Sequence, residues 1–250
     1  MRKRVNKMPR NVGRILPGAI ASLASLFLLA PAAQAEGLEG ANILVMSRTA
    51  GFQHQSIPAG QDAMLEIARE EGFSITFTQD PALFSPGNLS HYDAVVFLNT
   101  TGDILGPEQQ TAFEGFIKEG HGLLGIHAAA DTETDGGWPW YNRFIGGKFK
   151  SHPAVQAARL VPSQDGAQDL ETTDEWYDFA DPVETRETVI AIDRDSYEGA
   201  ASTGLEPIVW TNSLDGGRAY YIGLGHTDES YATPLLRGLI VEGLRYAAGR

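Results

Sequence analysis

An apolar run at residues 122–132, Gly-Leu-Leu-Gly-Ile-His-Ala-Ala-Ala-Asp-Thr, ends in a histidine followed by small residues. This layout is typical of a nucleophile elbow, in which a sharp strand-to-helix turn raises one side chain above the carboxyl edge of a parallel sheet. His127 holds the raised position, where enzymes of this layout usually carry Ser or Cys. Because the chain contains no cysteine, the sequence excludes thiol acyl transfer and directs attention to imidazole chemistry.

Four of the six histidines lie in segments whose loops we expect to converge on one edge of the sheet. They are His54, His127, His152 and His226. Neutral imidazoles with a carboxylate such as Asp131 or Glu175 form the ligand set of Zn²⁺ or a similar divalent ion. The same groups without metal can act as general acid and base, and each histidine can instead serve a purely structural role. No H-x-x-x-H or H-x-E spacing occurs, so these alternatives stay open.

Within this set we predict His127 and His226 as the catalytic pair. Proton abstraction beside a carbonyl needs one base and one group that polarises the oxygen, and two imidazoles supply both. Asp131 and Glu175 are the predicted catalytic carboxylates. Asp131 could instead orient His127 or cap the elbow helix, and Glu175 could belong to a solvated acidic turn.

Aromatic residues directly after the elbow predict a wall of the binding pocket, although such residues are more often core. Aromatic rings stack on the apolar faces of sugar rings through dispersion contacts. The predicted substrate-binding residues are His54, Asn99, Trp138, Trp140, Tyr141, His152 and Trp176.

The elements that position these residues are readable in the first half of the chain. Short apolar runs predict strands at 42–46, 94–98 and 122–126, and alternation of polar and apolar residues predicts one at 74–78. Helical periodicity predicts helices at 58–71 and from Pro107 to Gly120. Repeated β-α units with continuous apolar strands predict a parallel sheet covered by helices on both faces. Ligands of such sheets bind beyond the carboxyl ends of the strands, where we place His54, Asn99 and His127.

The second half is less regular. Residues 136–149 form an aromatic insertion broken by glycines, and strands are predicted at 155–161 and 188–192. A hairpin is predicted from 207–211 and 218–224 around a turn at 215–217, followed by a closing amphipathic helix at 234–248.

Six short segments together resemble the ThuA-like (trehalose-utilisation) family, and the resemblance covers about residues 42–249. The segments are Gly51-Phe52-Gln53-His54, residues 125–132, Trp138-Pro139-Trp140-Tyr141, Gly146-Gly147-x-Phe149-x-x-His152-Pro153, Asp174-Glu175-Trp176-Tyr177 and Leu224-Gly225-His226-Thr227.

The resemblance implies a three-layer α/β fold, a flavodoxin-like or class I glutamine amidotransferase-like parallel sheet with added strands. In class I amidotransferases the elbow presents Cys, and the catalytic His follows a late strand and precedes Glu. His127 matches the Cys position and His226 the His position, with Asp228 or Glu229 near the acid. The resemblance therefore implies an amidotransferase scaffold without its nucleophile and a link to sugar metabolism.

Residues 1–35 have the order of a secretory signal: six basic residues, an apolar core and an Ala-Gln-Ala cleavage pattern. We expect removal of this segment, a single domain at residues 36–250 and a periplasmic or secreted protein. The remaining 13 basic and 32 acidic side chains give a formal charge of −19. This charge disfavours nucleic acid and anionic membrane surfaces as partners and favours a small neutral carbohydrate.

The sequence thus predicts an exported carbohydrate-active protein without amidotransferase activity. The favoured function is that of a hydrolase, lyase or isomerase acting on a sugar or keto-sugar; the alternative is a non-catalytic sugar-binding or regulatory protein on a degenerate scaffold. The sequence leaves open the substrate, the presence of a divalent metal such as Zn²⁺, and the oligomeric state.

Overall fold

The fold is taken from a computed structural model, which describes residues 37–133 and 137–250. The predicted signal peptide at residues 1–35 lies outside these described residues. Within them, no helix combines the length and the apolar character needed to cross a membrane.

The first half of the chain alternates strands and helices as the sequence predicts. Its helices carry a proline at the first or second position, which fits the first helical turn because the missing N–H has no intrahelical partner there. The elements are β1 (Asn42–Met46), α1 (Ile57–Glu71), β2 (Ser74–Thr78), α2 (Pro86–Leu89), β3 (Ala94–Leu98), α3 (Pro107–Lys118) and β4 (Gly122–Ile126).

The second half adds mostly antiparallel strands. The predicted hairpin is present, with Asp215 and Gly216 in the left-handed backbone region that a two-residue turn requires. The elements are α4 (Pro139–Ile145), β5 (Lys148–Ser151), β6 (Gln156–Pro162), β7 (Leu170–Asp174), β8 (Asp178–Ala180), β9 (Glu187–Asp193), β10 (Leu205–Leu214), β11 (Gly217–Ile222), α5 (Asp228–Ala232) and α6 (Pro234–Ala248).

One nine-stranded sheet organises the described part of the chain, in the order β2-β1-β3-β4-β11-β10-β9-β6-β7. The strands β2, β1, β3, β4 and β11 run parallel, and the remaining four are added antiparallel to their neighbours. β5 and β8 form a separate two-stranded sheet. The predicted α/β class with a parallel sheet and added strands is therefore confirmed.

Two apolar clusters cover the two faces of this sheet. In β1, Ile43 and Val45 pack into one cluster with residues of α1 and α6. Leu44 and Met46, which point the opposite way, pack into the other with residues of α3 and α4. This alternation along the apolar residues of β1 is what a sheet buried on both faces requires, and it produces three layers.

The turn after β4 differs from a standard elbow. The sequence predicts a strand that leads into a helix, but the chain forms only a short 3-10 helix at His127–Asp131 before continuing to α4. Consequently Asp131 does not cap an elbow helix. The predicted aromatic insertion likewise contains α4, whose buried side includes Tyr141 and Phe144.

Candidate metal centre and its cavity

Three imidazoles and one carboxylate meet beyond the carboxyl edge of the parallel strands. His54 follows β1, His127 follows β4 and His226 follows β11, so the parallel topology delivers all three to one place. Glu175 comes from the segment that joins β7 to β8. One ligand atom from each of the four residues lies within 4.8 Å of the others. We call this group the His–Glu cluster.

The backbone at His127 is held in an uncommon conformation. Its φ is +47°, a value that costs free energy for a residue with a Cβ atom. The Tyr221 hydroxyl donates to the His127 carbonyl at 2.8 Å, and a Cβ at Gly125 would lie 2.6 Å from Ile145. Tight packing around the turn therefore stabilises the orientation of the imidazole.

The three imidazole rings and the carboxylate of the cluster are in direct contact. The Nε2 atom of His127 lies 3.4 Å from Oε2 of Glu175, and Nδ1 of His226 lies 3.1 Å from the same oxygen. The ring of His54 stands edge-on to those of His127 and His226, at centroid distances of 4.9 and 5.2 Å. The centroids of His127 and His226 are 5.3 Å apart.

The hydrogen bond made by Nδ1 of His127 determines whether the other ring nitrogen, Nε2, carries a hydrogen. Nδ1 of His127 lies 3.2 Å from the carbonyl oxygen of Gly223, which can only accept, so Nδ1 carries the hydrogen. In the neutral imidazole, Nε2 then presents a lone pair to a carboxylate oxygen of Glu175. Two acceptors face each other in this way only when a proton or a cation lies between them.

Several buried nitrogen atoms point to the same arrangement. Among the described residues, Nδ1 of His54, Nε2 of His127 and Nδ1 of His226 are buried and lack a hydrogen bond of good geometry. Buried polar atoms without partners are costly and uncommon. The 3.4 and 3.1 Å separations to Glu175 match the roughly 3.3 Å between ligand atoms of tetrahedral zinc with bonds of about 2.0–2.1 Å. The donor set therefore fits Zn²⁺ or a similar ion.

Burial and neighbouring charges shift the pKa values of the cluster residues in different directions. Burial, together with the neighbouring His127 and His226, lowers the pKa of His54 to about 3, so this ring is neutral and available as a ligand. Burial alone would raise the pKa of Glu175, but hydrogen bonding and charge interaction with His127 and His226 outweigh it and hold this pKa well below its usual range. The contact with Glu175 raises the pKa of His226.

A residue that the sequence analysis did not single out supports the cluster. Asp174 is fully buried, and its carboxylate accepts from the backbone N–H groups of Glu175, Gly225 and His226 at 2.8, 2.8 and 3.0 Å. It also accepts from the Ser230 hydroxyl at 2.7 Å. Asp174 therefore fixes the two segments that carry Glu175 and His226. We call these four contacts the Asp174 clamp.

A cavity of about 280 Å³ opens onto the cluster. The predicted residues Asp131 and His152 lie in its wall, and Nδ1 of His152 is 2.9 Å from Oε1 of Glu175. His152 contacts the other carboxylate oxygen, Oε1, and is not part of the cluster. The fourth candidate metal ligand is therefore Glu175, whereas the sequence analysis placed His152 in that role. We call this space the inner lobe; its lining residues are Phe52, His54, Asp131, Phe149, His152, Glu175, Tyr177 and His226.

The predicted aromatic wall lies elsewhere, in the core. Trp138, Trp140 and Tyr141 are buried in the apolar cluster of α3 and α4, and the lining of the inner lobe in the described part of the chain includes none of them. Their polar atoms already have partners, which are Glu114, Asp215 and the Ala129 carbonyl. The aromatic rings that do line the inner lobe belong to Phe52, Phe149 and Tyr177.

Two other predicted substrate-binding residues, Trp176 and Asn99, are buried and stabilise the loops around the site through hydrogen bonds. Trp176 is fully buried, and its indole N–H donates to the Gln156 carbonyl at 2.9 Å. The Asn99 amide donates to the Ser56 hydroxyl at 3.0 Å and to the Gly225 carbonyl at 3.1 Å. Asn99 therefore ties the loop of His54 to the loop of His226, which makes it a positioning residue.

Comparisons with known proteins agree with this architecture. The sequence profile of the family described as ThuA, trehalose utilisation, matches residues 42–247. No curated protein matches the chain by sequence.

Solved structures share the fold at low identity. A putative ThuA-like protein from Bacteroides uniformis superposes with a TM-score of 0.71 and 21% identity over 87% of this chain and 95% of that one. One from Parabacteroides merdae gives 0.69 and 18% over 84% and 90%. A β-galactosidase from Bacillus circulans sp. alkalophilus gives 0.53 and 14% over 84% of this chain but 30% of that one. These likenesses show the fold alone.

Proposed function

The chain belongs to the ThuA (trehalose utilisation) family, and we propose that it is an exported enzyme acting on a neutral sugar or keto-sugar at a divalent-ion site formed by the His–Glu cluster. The observation that carries the proposal is the convergence of three imidazoles and one carboxylate, with one ligand atom from each within 4.8 Å of the others and, on each ring, a buried nitrogen that lacks a hydrogen bond of good geometry. A purely structural histidine cluster would satisfy these atoms with backbone groups, as Gly223 satisfies only the far side of His127.

We assign each residue of the site a chemical role according to its position. His54, His127, Glu175 and His226 would hold the ion, which supplies a Lewis acid that polarises a carbonyl or hydroxyl oxygen of the sugar. Asp131 lines the inner lobe outside this ligand group. We assign it the removal of a proton from the sugar, either from a hydroxyl or from the carbon beside a carbonyl. Phe149 and Tyr177 supply apolar faces against which a ring can pack.

The chemistry open to this arrangement is hydrolysis or elimination at a glycosidic bond, or isomerisation of a keto-sugar. Glutamine hydrolysis is outside the proposal, because the position that needs a thiol carries His127 and the chain has no cysteine. The charge of the chain after loss of its basic leader also fits a neutral substrate better than an anionic one.

Metal analysis coupled to a substrate screen tests the proposal. Purified protein should contain or take up about one equivalent of Zn²⁺ or a similar ion, and the loaded protein should convert mono- or disaccharides or their keto derivatives. Removal of the ion with a chelator should abolish turnover, and re-addition should restore it. Binding of sugars without turnover would identify a binding module, and stabilisation by nucleotides alone would contradict a carbohydrate function.

Export is the second part of the proposal, and it rests on the order of basic, apolar and Ala-Gln-Ala segments in residues 1–35. Protein recovered from a secreting host should begin at or near Glu36, as amino-terminal sequencing would show. An intact Met1 on soluble cytosolic protein would contradict export while leaving the proposed site unaffected.

A further inference from the structure

Glu133 is a buried carboxylate that the proposed chemistry does not use. It follows the turn at His127–Asp131, and only 3% of its surface is exposed. Its backbone φ is +57°, a left-handed value that costs free energy for a residue with a Cβ atom. Contacts with other segments must therefore hold Glu133 in this conformation.

The side chain of Glu133 holds the loop that joins β3 to α3, residues 99–106, which we call the β3–α3 loop. Its Oε1 atom accepts from the backbone N–H groups of Ile104 and Leu105 at 2.9 and 3.4 Å. The Gln110 amide, on α3, donates to Oε2 at 3.5 Å. One buried carboxylate thus fastens the end of this loop.

Two backbone hydrogen bonds extend the contact to Asp131. The Glu133 N–H donates to the Gly102 carbonyl at 3.0 Å, and the Gly102 N–H donates to the Asp131 carbonyl, also at 3.0 Å. Position 102 requires glycine, since its φ is +69° and a Cβ atom there would lie 2.9 Å from the backbone nitrogen of Gly51. The backbone of Asp131 is therefore set by the β3–α3 loop.

The same loop holds the segment that leads to His54. The Ala50 N–H donates to the Thr101 carbonyl at 2.7 Å, and the Thr101 hydroxyl donates to the Phe52 carbonyl at 2.8 Å. The β3–α3 loop therefore connects the segment of one cluster residue to the segment of the assigned base, and the Glu133 carboxylate holds it in place.

Ionisation of Glu133 is opposed by its surroundings. Burial raises its pKa to about 7, and the charge and side-chain contact of Asp103 raise it further, although the backbone N–H groups of Leu105 and Ile104 favour the charged form. Asp131, on the same segment, lines the inner lobe instead.

Other elements packed against Glu133 add little charge in the described part of the chain. Burial raises the pKa of Tyr141, on α4, well above its ordinary value, so this phenol is neutral. On α3, Gln110 is neutral, and the carboxylate of Glu114 is paired with Lys118 at 3.0 Å. Asp103 is therefore the charged group that opposes Glu133.

We propose that Glu133 is a positioning residue that locks the β3–α3 loop against Asp131, and that the lock is complete only while Glu133 carries a proton. In that form one oxygen accepts from the backbone N–H groups and the hydroxyl donates to Asp103. Loss of the proton leaves two like charges in contact, which loosens the loop. The inference rests on the proposed function only in giving Asp131 a catalytic task; the lock itself is measurable without substrate.

Chemical denaturation of the purified protein at a series of pH values tests the lock. Because the folded state raises the pKa of Glu133, its contribution to stability is complete below the ordinary carboxyl pKa and is lost as the pH rises to about 7. The folding equilibrium constant of the wild type should fall relative to that of Glu133→Gln, by up to about tenfold per pH unit between about pH 5 and 7. Glu119→Gln, which alters an exposed carboxylate after α3, should show the wild-type profile.

Hydrogen exchange at the amides of Ile104 and Leu105 gives a local measurement. In the wild type, their protection should fall by about tenfold between about pH 6 and 8, after correction for intrinsic exchange. Glu133→Gln, whose amide can keep both contacts, should retain protection at both pH values, and Glu133→Ala should lose it at both. Asp103→Asn, which removes the opposing charge, should reduce the pH dependence.

Zinc titration separates positioning from stability alone. Glu133→Ala should lower Zn²⁺ affinity by about tenfold, and Glu133→Gln should restore it. Unchanged Zn²⁺ affinity in Glu133→Ala would show that Glu133 serves the fold and not the site. Identical pH profiles for the wild type and Glu133→Gln in denaturation and exchange would overturn the lock and leave the proposed function standing. A lock that responds to pH as expected in a protein that takes up no Zn²⁺ would overturn the proposed function alone.

Discussion

Replacement of His127 by alanine is expected to lower Zn²⁺ affinity by at least about 100-fold and to abolish turnover. The substitution removes one of four ligands and leaves the carboxylate of Glu175 with only His226 beside Oε2. Loss of even a supporting partner of a metal ligand typically costs 10–100-fold in affinity. Calorimetric titration with Zn²⁺ and turnover on the sugar identified by the substrate screen would measure the effect.

A second variant separates this loss from misfolding. His127→Asn places at the turn a residue that tolerates the left-handed backbone, where φ is +47°. It should therefore fold at least as well as the alanine variant and still lose Zn²⁺ binding. His91→Ala is the matched control, because His91 is exposed and remote from the cluster. Retention of full zinc affinity in both His127 variants would contradict the shared ion site.

Asp174→Asn is expected to lower the free energy of unfolding by about 2–4 kcal/mol and Zn²⁺ affinity by about 10–100-fold. Each carboxylate oxygen of Asp174 accepts two of the four donors of the clamp. The amide nitrogen of Asn is a donor, so in place of either oxygen it would face donors and break the contacts with the backbone N–H groups on that side. The segments of Glu175 and His226 would then lose their common anchor. Chemical denaturation and zinc titration would measure the two effects.

Leu244→Ala provides the matched control for this prediction. Leu244 is fully buried on α6, so its truncation should cost a similar 2–5 kcal/mol without touching the clamp. Zinc affinity of the folded Leu244→Ala protein should equal that of the wild type. Equal zinc affinities in the Asp174 and Leu244 variants would show that Asp174 stabilises the fold without positioning the site.

Local patterns were sufficient to predict the parallel half of the fold. Strands such as β1 and β3 are continuous apolar runs, and the helices between them carry proline at their starts, so each element is encoded within its own segment. Parallel strands end on one edge of a sheet, which is why the loops of His54, His127 and His226 could be placed together before any contact was known.

The errors come from residues whose role depends on distant partners. Trp140 and Phe144, and likewise Tyr141 and Ile145, are spaced as one face of a buried helix, a signal that the flanking glycines obscured. Asp174 could not be recognised, since three of its four partners lie 51–56 positions away in sequence. His152 was assigned to the metal set because residue type alone does not reveal which side of a carboxylate a ring will contact.

The cluster joins four loops that are far apart in sequence, from the loop of His54 to the loop of His226. The chain contains no cysteine. A chain without cysteine has no disulfide to restrain its unfolded state, and a bound ion would act as a reversible cross-link between the two halves of the sheet. Ligand that binds only the folded chain adds about 4 kcal/mol when it is present at 1,000 times its Kd. The supply of metal would then govern how long the protein survives proteolysis as well as whether it is active.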